Sequence, residues 1–161
     1  MRTILALAAF LLCFAYGARQ SLLLKRRAAF LEELSRMLGG FEIEIRFAAP
    51  TLDILCEKAE GGFADILREC CCDNDIKSAW ERACGRLCAL PYCRAEESEL
   101  MLSLGRSLGT SDISGQLSLI GLHSEKLNAL RRSAAEESAK KGKLFRSVGA
   151  LCGIGAAVLI M

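Results

Sequence analysis

The sequence predicts an all-α fold, a helical cytoplasmic domain with long antiparallel stalk helices set between N- and C-terminal membrane segments. Three observations predict it. Val occurs twice and Thr three times in 161 residues, whereas Leu and Ala are abundant, so the β-branched residues that a sheet requires are missing. Apolar residues recur at steps of three and four through most of the chain, the period of one helical face. Both ends are apolar and without charge over Thr3–Ala18 and Ser147–Met161, apart from the basic residues that border them. At 52% apolar the chain is too hydrophobic to be disordered, and at 25% charged it is too polar to lie wholly in lipid. A net charge of +2 excludes the strong basic excess of a nucleic-acid binder. The length suits one domain.

The N-terminal membrane anchor is placed at residues 1–24, the cytoplasmic helical domain at 25–146 and the C-terminal membrane segment at 147–161. At about 1.5 Å per residue, either charge-free run spans roughly 22–24 Å, short of a hydrocarbon core of about 30 Å. Arg19 can snorkel, and Leu22, Leu23 and Leu24 then bring the first segment to full length. Leu144 and Phe145 extend the second in the same way. A rival reading of the N-terminus is a cleaved signal peptide, with Arg2 before an apolar core and small residues at Ala15 and Gly17, and the chain is then an exported, disulfide-bonded helical protein. Arg19, Lys25, Arg26 and Arg27 follow the first run, and Lys140, Lys141, Lys143 and Arg146 precede the second. That excess of positive charge on the inner flanks places the middle of the chain in the cytoplasm and both termini across the membrane.

The elements follow in order. Phe30, Leu34, Met37, Phe41, Ile45 and Ala48, with Leu31 and Leu38 beside them, form one wide stripe of a long first helix that Pro50 ends. Gly39-Gly40 falls inside it, a bend or a point of close packing. A short helix is expected over about 51–59 and another over about 63–71, separated by Gly61-Gly62. Asp73-Asn74-Asp75 forms a turn that can cap the next helix, which presents Ile76, Ala79, Trp80, Ala83, Cys84, Leu87 and Cys88 on one face. A fifth helix spans about 96–108, with Leu100, Met101, Leu104 and Leu108 inward. The last begins near Asp112 and keeps a stripe through Ile113, Leu117, Ile120, Leu127, Leu130 and Ala134 before running into the apolar end. The two long helices are expected to pair antiparallel.

Chemistry-bearing motifs are sparse. Nine cysteines at irregular spacing stay reduced in a cytoplasmic domain. Cys84, Cys88 and Cys93 with one of Cys70–Cys72 make a conceivable zinc set, but Cys84 and Cys88 share the Trp80 face and read as core thiols. The single histidine, His123, lies mid-helix as a surface or packing residue, and no nucleophile, base and orienter set is present. No glycine loop followed by Lys-Ser/Thr is present to cradle phosphate. Gly153-Ile154-Gly155 reads as a packing face within the apolar end. No catalytic residue, metal ligand or cofactor is expected.

Four features stand in fixed order. They are an N-terminal anchor with a basic flank; Phe41-Glu42-Ile43-Glu44-Ile45 with Pro50-Thr51-Leu52; Leu104-Gly105-Arg106-Ser107-Leu108-Gly109-Thr110-Ser111-Asp112 with Gln116; and Lys140-Lys141-x-Lys143-Leu144-Phe145-Arg146-Ser147 before the apolar end. In this order the chain resembles the stage III sporulation protein AB family of endospore-forming bacteria over essentially its whole length. It departs in having Phe41 where the family tends to have Leu, Ala49-Pro50-Thr51-Leu52 where it tends to have Thr-Pro-Leu, Gly39-Gly40 in the helix before Phe41, and in its cysteine load. The resemblance implies a non-enzymatic membrane platform component of the mother cell–forespore channel, in the mother-cell membrane around the forespore. Such a subunit is similar to the platform proteins of type II secretion and type IV pilus machines. Its implied partners are the ATPase of the same complex, stage III sporulation protein AA, other channel membrane subunits and the lipid bilayer, with no nucleic acid. Read from the residues, Glu42 and Glu44 are either solvated or an acidic patch for a basic partner. Asp112 reads as a helix cap supported by Gln116, with partner contact as the other reading for both. Lys140, Lys141, Lys143 and Arg146 read as anchors at anionic headgroups.

Overall fold

A computed structural model describes the backbone of residues 2–48, 51–71 and 75–160, and the side chains of these except 2–6, 9, 52–53, 146, 149–150, 152–154 and 156–160. Six helices follow one another: α1 (Arg2–Ala48), α2 (Leu52–Lys58), α3 (Gly62–Cys70), α4 (Ile76–Cys88), α5 (Ala95–Ser107) and α6 (Ile113–Ile160). There is no strand among the described residues. The helix breaks fall where backbone chemistry puts them. Gly61, at φ +110°, takes a conformation closed to L side chains, and the Gly62 N–H that opens α3 donates to the Glu33 carboxylate at 2.9 Å. Asp75 caps α4 by accepting from the Lys77 N–H at 3.1 Å and from the Ser78 hydroxyl. Its carboxyl is held below the ordinary carboxylate range, first by that hydroxyl. Asp73, Asn74 and Pro50 lie outside the described residues. At the start of α5 the buried Glu97 carboxylate accepts the Arg94 N–H at 2.8 Å, placing negative charge against the helix's positive end.

The chain divides into two compact units. One comprises residues 29–132. Its core takes the whole expected α1 stripe from Phe30 to Ile45, together with Leu31 and Leu38. Ala48, expected on that stripe, is exposed, because it lies in the last residue of α1. Each such fully buried Leu or Phe contributes about 1.5–3 kcal/mol relative to exposure. At the centre stands Trp80, 1% exposed. Phe63 of α3 meets its ring edge-on at 5.0 Å, and its indole N–H donates to the Met101 carbonyl of α5 at 2.8 Å. Gly105, one turn along α5, makes the approach possible: a Cβ there would stand 2.2 Å from the indole. Within this unit α1 and α6 run antiparallel, with Arg131 bound to Glu32 at 2.5 Å and the Ser35 hydroxyl donating to Asn128 at 3.2 Å. Gly39 and Gly40 do not mark close packing, since a Cβ at either would meet nothing within 4 Å.

The other unit comprises residues 1–28 and 133–161. Here too α1 and α6 are antiparallel. Arg27, 3% exposed, pairs with Glu137 at 2.9 Å, and Glu137 also accepts from Lys141 at 2.7 Å. Gly142 packs against Ser21, whose Oγ would lie 3.3 Å from a Cβ at that position. Among the described residues no helix is long and apolar enough to cross a membrane. Many side chains of the two apolar ends expected to be anchors lie outside the described residues.

Cysteine placement differs in part from expectation. Cys84 and Cys70 are in the core, whereas Cys88 is exposed, being one turn beyond Cys84 in the final turn of α4. Its thiol lies 3.1 Å from the Ser98 hydroxyl. Cys72 and the Cys152 side chain lie outside the described residues.

Candidate functional site

The stretch from Leu104 to Gln116 builds the turn between α5 and α6. Leu104 and Leu108 are fully buried and anchor it, and the Leu108 N–H closes α5 on the Leu104 carbonyl at 2.9 Å. Gly109 supplies the left-handed residue that reverses the chain, at φ +75°. The Thr110 hydroxyl donates to the Ser107 carbonyl at 2.7 Å, satisfying a carbonyl at the end of α5. Asp112 then caps α6: one carboxylate oxygen accepts the Gly115 N–H at 3.1 Å and the other the Ser114 hydroxyl at 2.6 Å. The Ser114 hydroxyl, and next the Gly115 amide, hold the Asp112 carboxyl below its ordinary range. Gln116 supports the cap through its side-chain amide, which donates to the Ser111 carbonyl at 3.0 Å. Asp112 and Gln116 are therefore brought together, and their hydrogen bonds serve the turn.

Glu42 and Glu44 are not brought together. Glu42 pairs with Arg46 one turn along α1 at 2.6 Å, and Glu44 reaches Lys58 of α2 at 2.8 Å. Each acid is matched by a base of the same chain, so no net acidic patch results. Beside Glu44 and Lys58 a groove of about 450 Å³ opens between α1 and α2, lined also by Glu33, Arg36, Gly40 and Ile43. Ile43 and Phe47 are 61% and 83% exposed, an apolar pair at i,i+4 opposite the core stripe. Sequence reasoning passed over them, although their spacing off the Phe41–Ile45 face was visible.

The basic cluster of Lys140, Lys141, Lys143 and Arg146 is distributed. Lys140 bonds Glu136 at 3.4 Å and Lys141 bonds Glu137 at 2.7 Å, while Lys143 is exposed. The Arg146 side chain lies outside the described residues. Arg27, read from the sequence only as a flanking charge, is instead a buried partner of Glu137. Its position one turn before Phe30 and Leu31, on the same helical face, was the available signal.

His123 is a packing residue, 5% exposed. Its Nδ1 donates to the Leu119 carbonyl at 2.9 Å, and Nε2 lies 2.9 Å from the Ser103 hydroxyl, tying α6 to α5. Burial pushes the Cys84 thiol up to about 12, with Cys88 and Glu81 adding to the effect. Such a thiol is a poor nucleophile at neutral pH. Among the described residues no group of three or more His, Cys, Asp or Glu is placed to hold a metal.

A family model described as stage III sporulation protein AB matches residues 2–161, nearly the whole chain. No curated protein and no solved structure matches.

Proposed function

The chain belongs to the stage III sporulation protein AB family, and from that premise we propose that it is a non-enzymatic membrane platform component of the mother cell–forespore channel, linking a cytoplasmic ATPase to the membrane complex. The family places it in sporulation. The observation that carries the finer reading is the double anchor written in the sequence. Two charge-free runs, Thr3–Ala18 and Ser147–Met161, are each flanked on the inner side by three or more basic residues. Between them lies the helical unit of residues 29–132. A folded unit tied at both ends to a bilayer suits the passing of position or force between a soluble motor and membrane subunits. Glu42 and Glu44 remain candidates for the motor contact. Exposed ion pairs are worth only about 0.2–1 kcal/mol, so a basic partner could exchange with Arg46 and Lys58 at little cost.

The test is a cysteine-accessibility topology map in spore-forming cells, with the native cysteines removed and single label sites placed at each terminus and in the middle. Protection of the middle from an impermeant reagent, with both ends reactive, is the expected result. Co-purification of the full chain with the ATPase of its own complex then follows. A reactive middle overturns the orientation and the motor contact with it.

A further inference from the structure

In the unit of residues 1–28 and 133–161, α1 and α6 leave a groove of about 480 Å³ between them, lined by the small residues Ala28, Ala135, Ala139 and Gly142. Small side chains alone would mark only a close helix approach. A second observation sets this groove apart. Ser21 on its wall is 1% exposed, and its hydroxyl has no hydrogen-bond partner. Buried hydroxyls are ordinarily paired, and leaving one unpaired is costly. Lys25 and Lys143 stand on the rim, both exposed and neither with an acidic partner among the described residues. Lys140 and Lys141, by contrast, are each held by a glutamate.

We propose that this groove seats the phosphate headgroup of an anionic membrane lipid, gripped by the Lys25 and Lys143 ammonium groups and by a hydrogen bond donated from the Ser21 hydroxyl. A phosphate oxygen accepts where Ser21 needs an acceptor, and its charge meets the two unmatched ammonium groups. The small lining residues leave room for the glycerol. The lipid source rests on the double-anchor reading: Ser21 and Lys25 bracket the expected inner end of the first anchor, and Lys143 precedes the second by one turn. That is headgroup level, where juxtamembrane lysines meet the negative surface of the cytoplasmic leaflet.

The test uses the full chain in nanodiscs of phosphatidylcholine doped with phosphatidylglycerol, with lipid retained after extraction counted by native mass spectrometry. Wild-type protein is expected to retain phosphatidylglycerol selectively. Lys25→Gln/Lys143→Gln lowers that retention about tenfold, whereas Lys140→Gln/Lys141→Gln, with the same change in charge, leaves it near wild type. Ser21→Ala lowers it by roughly tenfold without loss of thermal stability, because the hydroxyl it removes has no partner in the fold. Equal losses in the two lysine doubles overturn the proposal in favour of general surface attraction. Unchanged retention in the Lys25/Lys143 and Ser21 variants overturns it outright. Binding of inorganic phosphate to the lipid-free chain as tight as that of the lipid overturns the lipid source. Retention that is unchanged while the Ser21→Ala chain loses co-purifying membrane subunits overturns it in favour of a protein helix in the groove. Carbonate extraction separates the two readings. A wild-type chain that washes out of membranes defeats the double anchor and the lipid seat together, whereas an inserted chain with unaltered retention defeats the seat alone.

Discussion

Replacing Gly105 by Ala tests whether the contact between α4 and α5 organises the folded unit. Helix propensity alone favours the change, since Ala is about 1 kcal/mol better than Gly inside a helix. The packing opposes it. The new Cβ would stand 2.2 Å from Cδ1, 2.3 Å from Nε1 and 2.6 Å from Cγ of Trp80. Trp80 has little freedom to retreat, because Phe63 abuts its ring at 5.0 Å and its N–H is bound to Met101 at 2.8 Å. Overpacking of this kind costs about 1–3 kcal/mol, and displacing the indole forfeits a buried hydrogen bond worth about 1 kcal/mol. Net destabilisation of about 1–3 kcal/mol follows, or a Tm lowered by roughly 3–10 °C at this chain length. Trp80 is the only tryptophan, so its fluorescence reports the site directly during thermal unfolding of the full chain. Gly85→Ala is the control: a Cβ there meets nothing within 4 Å, and the substitution raises stability by about 0.5–1 kcal/mol. Combining Gly105→Ala with Trp80→Phe, which removes the indole nitrogen, recovers part of the loss as a coupling of about 1 kcal/mol. A Gly105→Ala chain as stable as wild type, with unaltered emission, would refute the packing account.

Two further outcomes are expected. Glu137→Gln leaves the buried Arg27 without its carboxylate, at a cost of about 3 kcal/mol, whereas Arg27→Met/Glu137→Met is nearly neutral; thermal unfolding decides, and a Glu137→Gln loss no larger than that of the exposed Glu136→Gln sinks the idea. The Cys84 thiol is raised from 9.0 to about 12 by burial, so above pH 9 the folded state binds more protons than the unfolded one and stability falls as pH rises toward 12. Cys84→Ala flattens that slope in denaturant titrations, and iodoacetamide at pH 8 modifies the exposed Cys71 and Cys88 well before Cys84 in mass spectrometry.

What the sequence made legible is what repeats with the helical period or punctuates it. The α1 stripe, the α4 face from Ala79 to Leu87 and the glycine break at Gly61 were all readable, because burial and backbone conformation impose local patterns. Asp112 and Asp75 were readable as caps for the same reason: a cap acts within three residues of itself. Gly105 was quoted in the motif, but its role was not visible, since it depends on Trp80, 25 residues away on another helix. Ser21 likewise gives no local sign that its hydroxyl is buried and unpaired. Arg27 and Cys88 failed in opposite directions. The arginine lies on the buried face because a glutamate 110 residues on meets it, and the cysteine leaves that face because its helix ends there.

The stretch between α5 and α6 on which the resemblance partly rests is spent on folding. Leu104 and Leu108 fill the core, Gly109 reverses the chain, and Asp112 with Gln116 caps α6. A partner surface is therefore to be sought among residues the fold does not consume. Glu42 and Glu44 do not stand out there as charge, because Arg46 and Lys58 neutralise them. A partner that used them would have to bring basic groups able to replace both, and its binding would weaken steeply with salt, as exposed charge contacts do. The neighbouring Ile43 and Phe47 expose apolar surface on the same segment of α1 without such a requirement. Salt dependence of the proposed ATPase contact thus separates an acidic contact from an apolar one on this stretch of helix.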